Sequence, residues 1–437
     1  MCCIFINYAF YSVFVDSQSV VKIILSLLQN LKRKGHITEL NKEKGIRKRL
    51  GNREMKRYMI FVATIFIVPV MILVGSILHI DVPVDLYGIV PENQKPLLTA
   101  EGIFDGEFQE DFDNWYKESH PFRALFVKIH NQILYCMNSC LLSGDIVVGK
   151  DGWLYSKEYI SCSFEEISED MKKRYDEYVR KVKLLQDNLE ASGKKFVYII
   201  SPSKVEMYPE FLPNRFHGIM ETKDQIKNNY EYFLEKLKTE NVNLVDAKTI
   251  LLNETGDIPF FTKTGIHWNY YAAAICAKEI LKQLGDYKHI LVEEIKRDTP
   301  FGAEQDIYLL SNVFKGVADK EYFGGTLVCD SFGEAGTQKV FEMGTSFSVE
   351  LASIFCTEGN YIWEEMIRYQ YFVNKTIYKN GMPPEGRAGD EIVKEHIKDE
   401  IIAADVILIE NNDSYVPESH FEFVNNALKY SEEIRRK

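Results

Sequence analysis

The segment Gly344-Thr345-Ser346-Phe347-Ser348 puts a serine two residues after a glycine, directly behind the apolar run at residues 339–343. A strand that turns into a helix through Gly-x-Ser lifts the hydroxyl onto the sheet edge. It also aims the first helical N–H groups at an oxyanion formed there. Such a nucleophile needs a base. His267, in the loop Lys263-Thr264-Gly265-Ile266-His267-Trp268-Asn269, is the candidate, and Asn269 reads as the N-cap of the helix that follows. A carboxylate behind the imidazole would hold its tautomer. On strand-edge position alone, Asp246 and then Asp330 are the candidates for that acid. Ser348 replaces the second glycine of the hydrolase elbow G-x-S-x-G, and taken singly each motif is more often structural: a helix-capping turn, a hydrogen-bonded histidine.

The elements that must position these groups are legible in the hydrophobic pattern. Residues 171–191 form a charged amphipathic helix stopped by Ser192-Gly193, and 195–200 (KFVYII) is the continuous apolar run of a buried parallel strand. Helices are expected over 223–239 and 270–284, and strands over 242–245, 339–343 and 405–409. Residues 101–143 read as helices, and Gly149–Ser156 (GKDGWLYS) as a tight turn feeding a short strand. Strands alternating with helices predict an α/β fold with a doubly wound parallel sheet, whose ligands bind at the carboxyl ends of the strands. Four strands end there in polar groups: Ser201-Pro202-Ser203-Lys204, Asp246, Gly344–Ser348, and Asn411-Asn412.

Taken in order, GKDGWLYS, the SPSK segment running into Tyr208-Pro209-Glu210-Phe211-Leu212-Pro213, the HWN loop, Asp306-Ile307 and GTSFS resemble the AlgX/AlgJ-like (DHHW) proteins. Phe104-Asp105-Gly106 and Phe122-Arg123 add to the resemblance, which runs from about Phe104 to Asn411. It implies an SGNH-hydrolase-like three-layer sandwich and O-acetyl transfer to an exopolysaccharide. The acyl group would come from a multi-spanning membrane acyltransferase partner. By motif position it makes Ser346 the nucleophile and His267 the general base, with no cofactor. The family's aspartate lies two residues before the histidine, where this chain has Gly265. Either another acid substitutes, or the site runs as a Ser–His dyad, or the domain is inactive. Gly265→Asp is then expected to preserve or raise turnover if the space is free, and to harm it if another acid fills it. Carbohydrate esterase activity at the same site, and a non-catalytic polysaccharide-binding component, are the alternatives. For the latter Trp115, Trp153, Trp268 and Trp363 could stack on sugars, although core packing is the commoner use.

Charge and hydropathy set the compartment. Residues 1–57 carry 12 Lys/Arg against 4 Asp/Glu, leaving 40 against 60 in the rest of the chain. So acidic a body is a poor nucleic-acid binder. Among the eight cysteines there is no CxxC pair, and the nine histidines give no HxxxH, so no metal site is expected. Residues 58–80 lack Asp, Glu, Lys and Arg and, as a helix, would span about 34 Å, enough to cross a bilayer. Residues 30–57 hold 11 Lys/Arg, whereas 81–100 hold only Lys95. Positive-inside then predicts a cytoplasmic N-terminus and an extracytoplasmic body. The expected organisation is a basic segment at 1–57, a transmembrane signal anchor at 58–80, an extended Pro-containing linker at 81–100, and an SGNH-hydrolase-like domain at 101–437. Met55, opening MKRYMIFV, is a second candidate start of translation.

Overall fold

The computed structural model describes residues 44–80, 82–137, 145–221, 226–331, 335–356, 362–379, 382–388 and 390–435. Most of the basic segment at 1–57 lies outside the described residues. Two compact units are present, one comprising the chain up to Asp85 with Val90–Phe126, the other Leu86–Ile89 with Val127–Lys437.

In the first unit, helix α1 (Lys44–Ile77) carries a 23-residue stretch, Met55–Ile77, long and apolar enough to cross a membrane, with a mean hydropathy of 2.7 over its most apolar 18 residues. Pro69 lies inside it. Gly75 is required by space: a Cβ there would stand 2.4 Å from the ring of Phe122. Helices α2 (Ala100–Asp105) and α3 (Glu107–Ser119) follow, joined by Gly106 at a φ of 91°. Along α3, Phe112 stacks on Tyr116 with ring centroids 5.7 Å apart.

The second unit opens on helix α4 (Arg123–Cys136), which the boundary between the units crosses near its start, and the hairpin β1 (Ile146–Val148) and β2 (Leu154–Ser156). Helix α5 (Glu169–Ala191) starts at an N-cap, Ser168, that accepts from Met171 N–H. Its buried face, Tyr175, Tyr178, Val182, Leu185 and Leu189, follows the helical repeat expected for 171–191. Then come β3 (Lys195–Ser201), α6 (Asn229–Thr239), β4 (Leu244–Asp246), α7 (Ala247–Leu252) and α8 (Tyr270–Leu284). The shorter α6, against the expected 223–239, is explained by a capping box in which Asn228 and Glu231 satisfy each other's N–H groups. A separate two-stranded ribbon is formed by β5 (Tyr287–Arg297) and β6 (Tyr322–Ser331), with the one-turn helix α9 (Asp306–Leu310) between them. The remainder is β7 (Lys339–Gly344), α10 (Ser348–Cys356), β8 (Glu365–Gln370), β9 (Asn374–Lys379), β10 (Glu385–Ala388), α11 (Asp390–Ala403), β11 (Val406–Asn412) and α12 (Glu418–Arg435).

The main sheet has the order β10-β9-β8-β7-β11-β3-β4. Strands β8, β7, β11, β3 and β4 are parallel, whereas β9 and β10 are antiparallel. The sheet is therefore mixed, not wholly parallel as expected. The reason is local. Tyr371 and Phe372, at φ of 52° and 62°, make a tight turn after β8, and so short a connection returns the chain antiparallel.

Both faces of the parallel strands are buried. Val197, Ile199, Val340, Val406 and Leu408 pack toward α7, α8 and α10, while Phe196, Tyr198, Ile200, Phe341, Ile407 and Ile409 pack toward α5, α6, α11 and α12. The helix after β7 thus packs on one face and the helix after its neighbour β11 on the other. That divergence opens a crevice at the carboxyl ends of β7 and β11, the position where open α/β sheets bind ligands.

Candidate active site

Ser346 stands at that crevice, between the last residue of β7 and the first of α10. It is half-buried between buried Thr345 and Phe347. Gly344 is needed because a Cβ would come within 2.3 Å of Ser348 Oγ. Ser348 itself is buried; its Oγ donates to the Thr345 carbonyl (3.0 Å) and accepts from Arg368 Nε (2.7 Å). The second glycine of the hydrolase elbow is thus replaced by a residue with its own hydrogen-bonding role. The Ser346 N–H has no acceptor among the described residues, which leaves it open to an oxyanion.

His267 reaches the serine from the loop before α8. Its Nε2 is 2.9 Å from Ser346 Oγ, and its Nδ1 is 2.9 Å from Asp306 Oδ2. Asp306 opens α9, and its Oδ1 accepts from Ile266 N–H (2.8 Å) and Ile307 N–H (2.6 Å). The Tyr308 N–H donates to the Thr264 carbonyl at 3.0 Å, so α9 and the histidine loop are bonded along their length. Behind the imidazole, Trp268 is buried and its Nε1–H donates to the Phe347 carbonyl (2.9 Å), while the Phe347 ring lies 4.6 Å from the His267 ring. Asn269 caps α8, accepting from Ala272 N–H at 2.9 Å. Burial pulls the His267 pKa down, but the Asp306 hydrogen bond and the nearby carboxyls of Glu350 and Glu410 outweigh it and leave it above the ordinary value. A serine, an imidazole and a carboxylate in this order can transfer the hydroxyl proton and stabilise the imidazolium that results.

The two acids ranked from the sequence lie elsewhere. Asp246 caps α7 and is saturated locally, accepting from Tyr230 Oη (2.8 Å) and Thr249 Oγ1 (2.6 Å). Asp330 sits exposed on the β5–β6 ribbon, 2.8 Å from His289 Nδ1. The structure corrects both: the carboxylate at His267 is Asp306. Ranking by strand ends missed it because it arrives from a loop between ribbon strands, although Asp306-Ile307 stood in the motif order and the glycine at 265 called for a substitute. Position 265 has no room for an acid. A Cβ there would meet Thr262 Oγ1 at 2.7 Å and the carbonyls of Glu304 and Ala303 at 2.8 and 2.9 Å.

The remaining strand-end groups frame the crevice. Ser201 Oγ donates to Glu410, Asp413 accepts from Ser203 N–H (2.8 Å), and Asn412 Nδ2 donates to the Ser201 carbonyl (3.3 Å). Burial pushes Asp413 up to about 7. Of the four tryptophans, Trp153, Trp268 and Trp363 are buried in the core, which removes them as sugar platforms.

Residues 146–298 match the family model of the SGNH hydrolase-like domain of acetyltransferase AlgX. That segment contains His267, while Asp306 and Ser346 lie beyond it. The chain is 25% identical over 185 residues to a probable alginate O-acetylase AlgJ of Pseudomonas fluorescens, covering 42% of this chain and 44% of that protein. It is 22% identical over 184 residues to the corresponding protein of Pseudomonas aeruginosa, covering 41% and 42%. The match thus spans less than half the length of these curated relatives. Among solved structures, the O-acetyltransferase domain of Pseudomonas putida AlgJ aligns at 16% identity with a TM-score of 0.39, over 65% of this chain and 98% of that one. The resemblance carried by the motifs holds: the chain is similar to AlgX/AlgJ-like proteins, and its residues 146–298 to the SGNH hydrolase-like domain of acetyltransferase AlgX.

Proposed function

We propose that this protein is a serine-dependent O-acetyltransferase acting on hydroxyls of an envelope or extracellular polysaccharide. The observation that carries the reading is the unbroken chain Ser346–His267–Asp306, with 2.9 Å at both links, at the carboxyl edge of the sheet. The relatives' names as alginate O-acetylases agree with it.

In the first half-reaction His267 Nε2 takes the Ser346 proton as Oγ attacks the acyl carbonyl of the donor. The oxyanion is met by the Ser346 N–H, which is left open at the turn. Collapse breaks the donor's acyl–oxygen bond; the leaving oxygen takes the proton from His267 and acetyl-serine remains. In the second, His267 takes the proton of a sugar hydroxyl, the hydroxyl oxygen attacks the acetyl carbonyl, and the Ser346 Oγ–acyl bond breaks. Oγ regains the proton, and the product is the sugar acetate. Asp306 keeps Nδ1 protonated throughout and balances the imidazolium.

We read α1 as a single-pass anchor. The basic residues before its apolar stretch and the acidic body after it support a cytoplasmic N-terminus with the catalytic unit outside. An acetyl group must then be exported to that side, which is the task assigned to a multi-spanning membrane acyltransferase partner.

The test is a deletion strain complemented with wild type or Ser346→Ala. Wild type restores polysaccharide O-acetyl groups and shows a one-acetyl mass shift on the peptide holding Ser346. Ser346→Ala restores neither, while reaching the membrane in equal amount. Normal acetylation with Ser346→Ala removes the serine from the reaction.

A further inference from the structure

The turn that carries Ser346 is held from below by charges that the acyl-transfer steps leave unused. Arg368 on β8, Glu342 on β7 and Glu410 on β11 all point to the α10 face of the sheet, and each is buried. Glu342 and Arg368 are register partners, and their charged groups lie 3.5 Å apart. Burying three such groups in the core is unfavourable unless their geometry is well satisfied. Nothing in the packing of a parallel sheet asks for them.

The contacts of Glu410 and Arg368 converge on one residue. Glu410 Oε2 accepts from the Thr345 N–H at 2.8 Å and from Thr345 Oγ1 at 2.9 Å, while its Oε1 accepts from Ser201 on β3. Arg368 Nη2 donates to the Thr345 carbonyl at 2.7 Å, and Nε donates to Ser348 Oγ at 2.7 Å. Thr345 Oγ1 also accepts from Phe347 N–H at 3.2 Å. Every polar group of Thr345 is thus engaged, from the two strands that flank β7 on either side. The residue so held immediately precedes Ser346, whose Oγ must stay within reach of His267.

We propose that Arg368 and Glu410 are positioning residues that grip Thr345 from the two neighbouring strands and fix the Ser346 hydroxyl in the attacking geometry. The inference rests on Ser346 being the nucleophile. The grip uses charged partners because charge-assisted hydrogen bonds are shorter and stronger than neutral ones. Burial raises the Glu342 pKa to about 8 against the pull of Arg368. The guanidinium donates instead to the turn, at the Thr345 carbonyl and Ser348 Oγ, while burial raises the Glu410 pKa against the hydrogen bonds from Ser201 and Thr345.

The experiment compares Thr345→Val, Thr345→Ser, Arg368→Lys and Ser346→Ala with wild type, as full-length protein in detergent. The readout is the rate at which a fluorophosphonate labels Ser346, followed by mass and normalised to folded protein. Thr345→Val keeps shape but loses the hydroxyl, and Arg368→Lys keeps charge but loses the fork. Each should slow labelling by roughly 10- to 100-fold, the size expected from misplacing a reacting atom by a fraction of an ångström to about 1 Å. The loss should fall on the limiting labelling rate, with half-saturation by the probe and the midpoint of the pH profile unchanged, because His267 is untouched. Thr345→Ser restores the hydroxyl and should return to within about threefold of wild type. If Thr345→Val and Arg368→Lys lower Tm yet label at the wild-type rate, the grip is structural only and the proposal is overturned. If Ser346→Ala labels as fast as wild type, or wild type does not label, the nucleophile assignment fails instead, and the grip with it.

Discussion

At residue scale the site turns on one exchange, a glycine at 265 and an aspartate at 306. The main-chain carbonyls of Ala303 and Glu304 fill the space beside Gly265, so the acid is supplied from α9 by the same stretch of chain that excludes it from the loop. Gly265→Asp is therefore expected to harm the protein. Overpacking against main chain costs about 1–3 kcal/mol, and turnover should fall because the loop carrying His267 must shift. A lowered Tm with reduced ester turnover is the expected result; gain of activity would mean the loop yields without moving the imidazole. Asp306→Asn should lower turnover by roughly 10⁴-fold, as loss of the orienting acid does in serine triads. The pH profile adds a sign. His267 acts as a base only when neutral, so the rising limb of kcat/KM should have its midpoint above 6.5, where the Asp306 bond and neighbouring carboxyls put it. Asp306→Asn removes that bond and should move the midpoint down. Unchanged activity and midpoint would remove Asp306 from the site.

At the scale of elements, the motifs that flank the triad are braces for the histidine loop. The Lys263 carbonyl accepts from Leu154 N–H on β2 (2.9 Å) and from Lys204 Nζ (3.2 Å), and Lys204 Nζ also donates to the Leu154 carbonyl (3.0 Å). The same ammonium lies over the rings of Trp153 and Tyr155, at 5.6 and 5.8 Å. GKDGWLYS and SPSK thus meet at the root of the HWN loop. Burial lowers the Lys204 pKa to about 7, opposed by Asp306 and Asp319. On the other side of the loop, Asp319 accepts from Lys263 N–H (2.9 Å), and Thr262 Oγ1 donates to the Glu304 carbonyl (2.6 Å). Lys204→Met should destabilise the protein by about 1–3 kcal/mol, the loss of buried hydrogen bonds, and lower turnover by misplacing His267. A thermal melt paired with ester turnover checks this; wild-type values in both would show that the loop stands without the lysine.

At the scale of the molecule, the chain joins a helix fit for a bilayer to a unit that holds the Ser346–His267–Asp306 site. The step from 12 Lys/Arg against 4 acids before residue 58 to 40 against 60 afterwards predicts which side that unit faces. Protease added to intact cells or spheroplasts should digest the acidic unit and leave a basic stub. A fully protected unit, with a control protein cleaved, would reverse the orientation.

Much of this was legible in the sequence because it depends on local patterns. The runs at 195–200 and 339–343, and the helix at 270–284 with its Asn269 cap, appear nearly as expected, since burial on both faces and helix capping leave their marks in consecutive residues. The motif order led to Ser346 and His267 for the same reason: each lies in a compact run. The β5–β6 ribbon and the antiparallel β9 and β10 escaped notice, because half-exposed strands mix polar and apolar residues and their pairing is non-local. The identity of the acid depended on three dimensions alone. Asp306 stands 39 residues from His267 in the chain, and no periodicity marks it. Only the folding of α9 against the histidine loop, with no room beside Gly265, decides which of many carboxylates reaches the imidazole. The grip on Thr345 is of the same kind, since Arg368 and Glu410 become neighbours of the turn only when β8 and β11 pair on either side of β7.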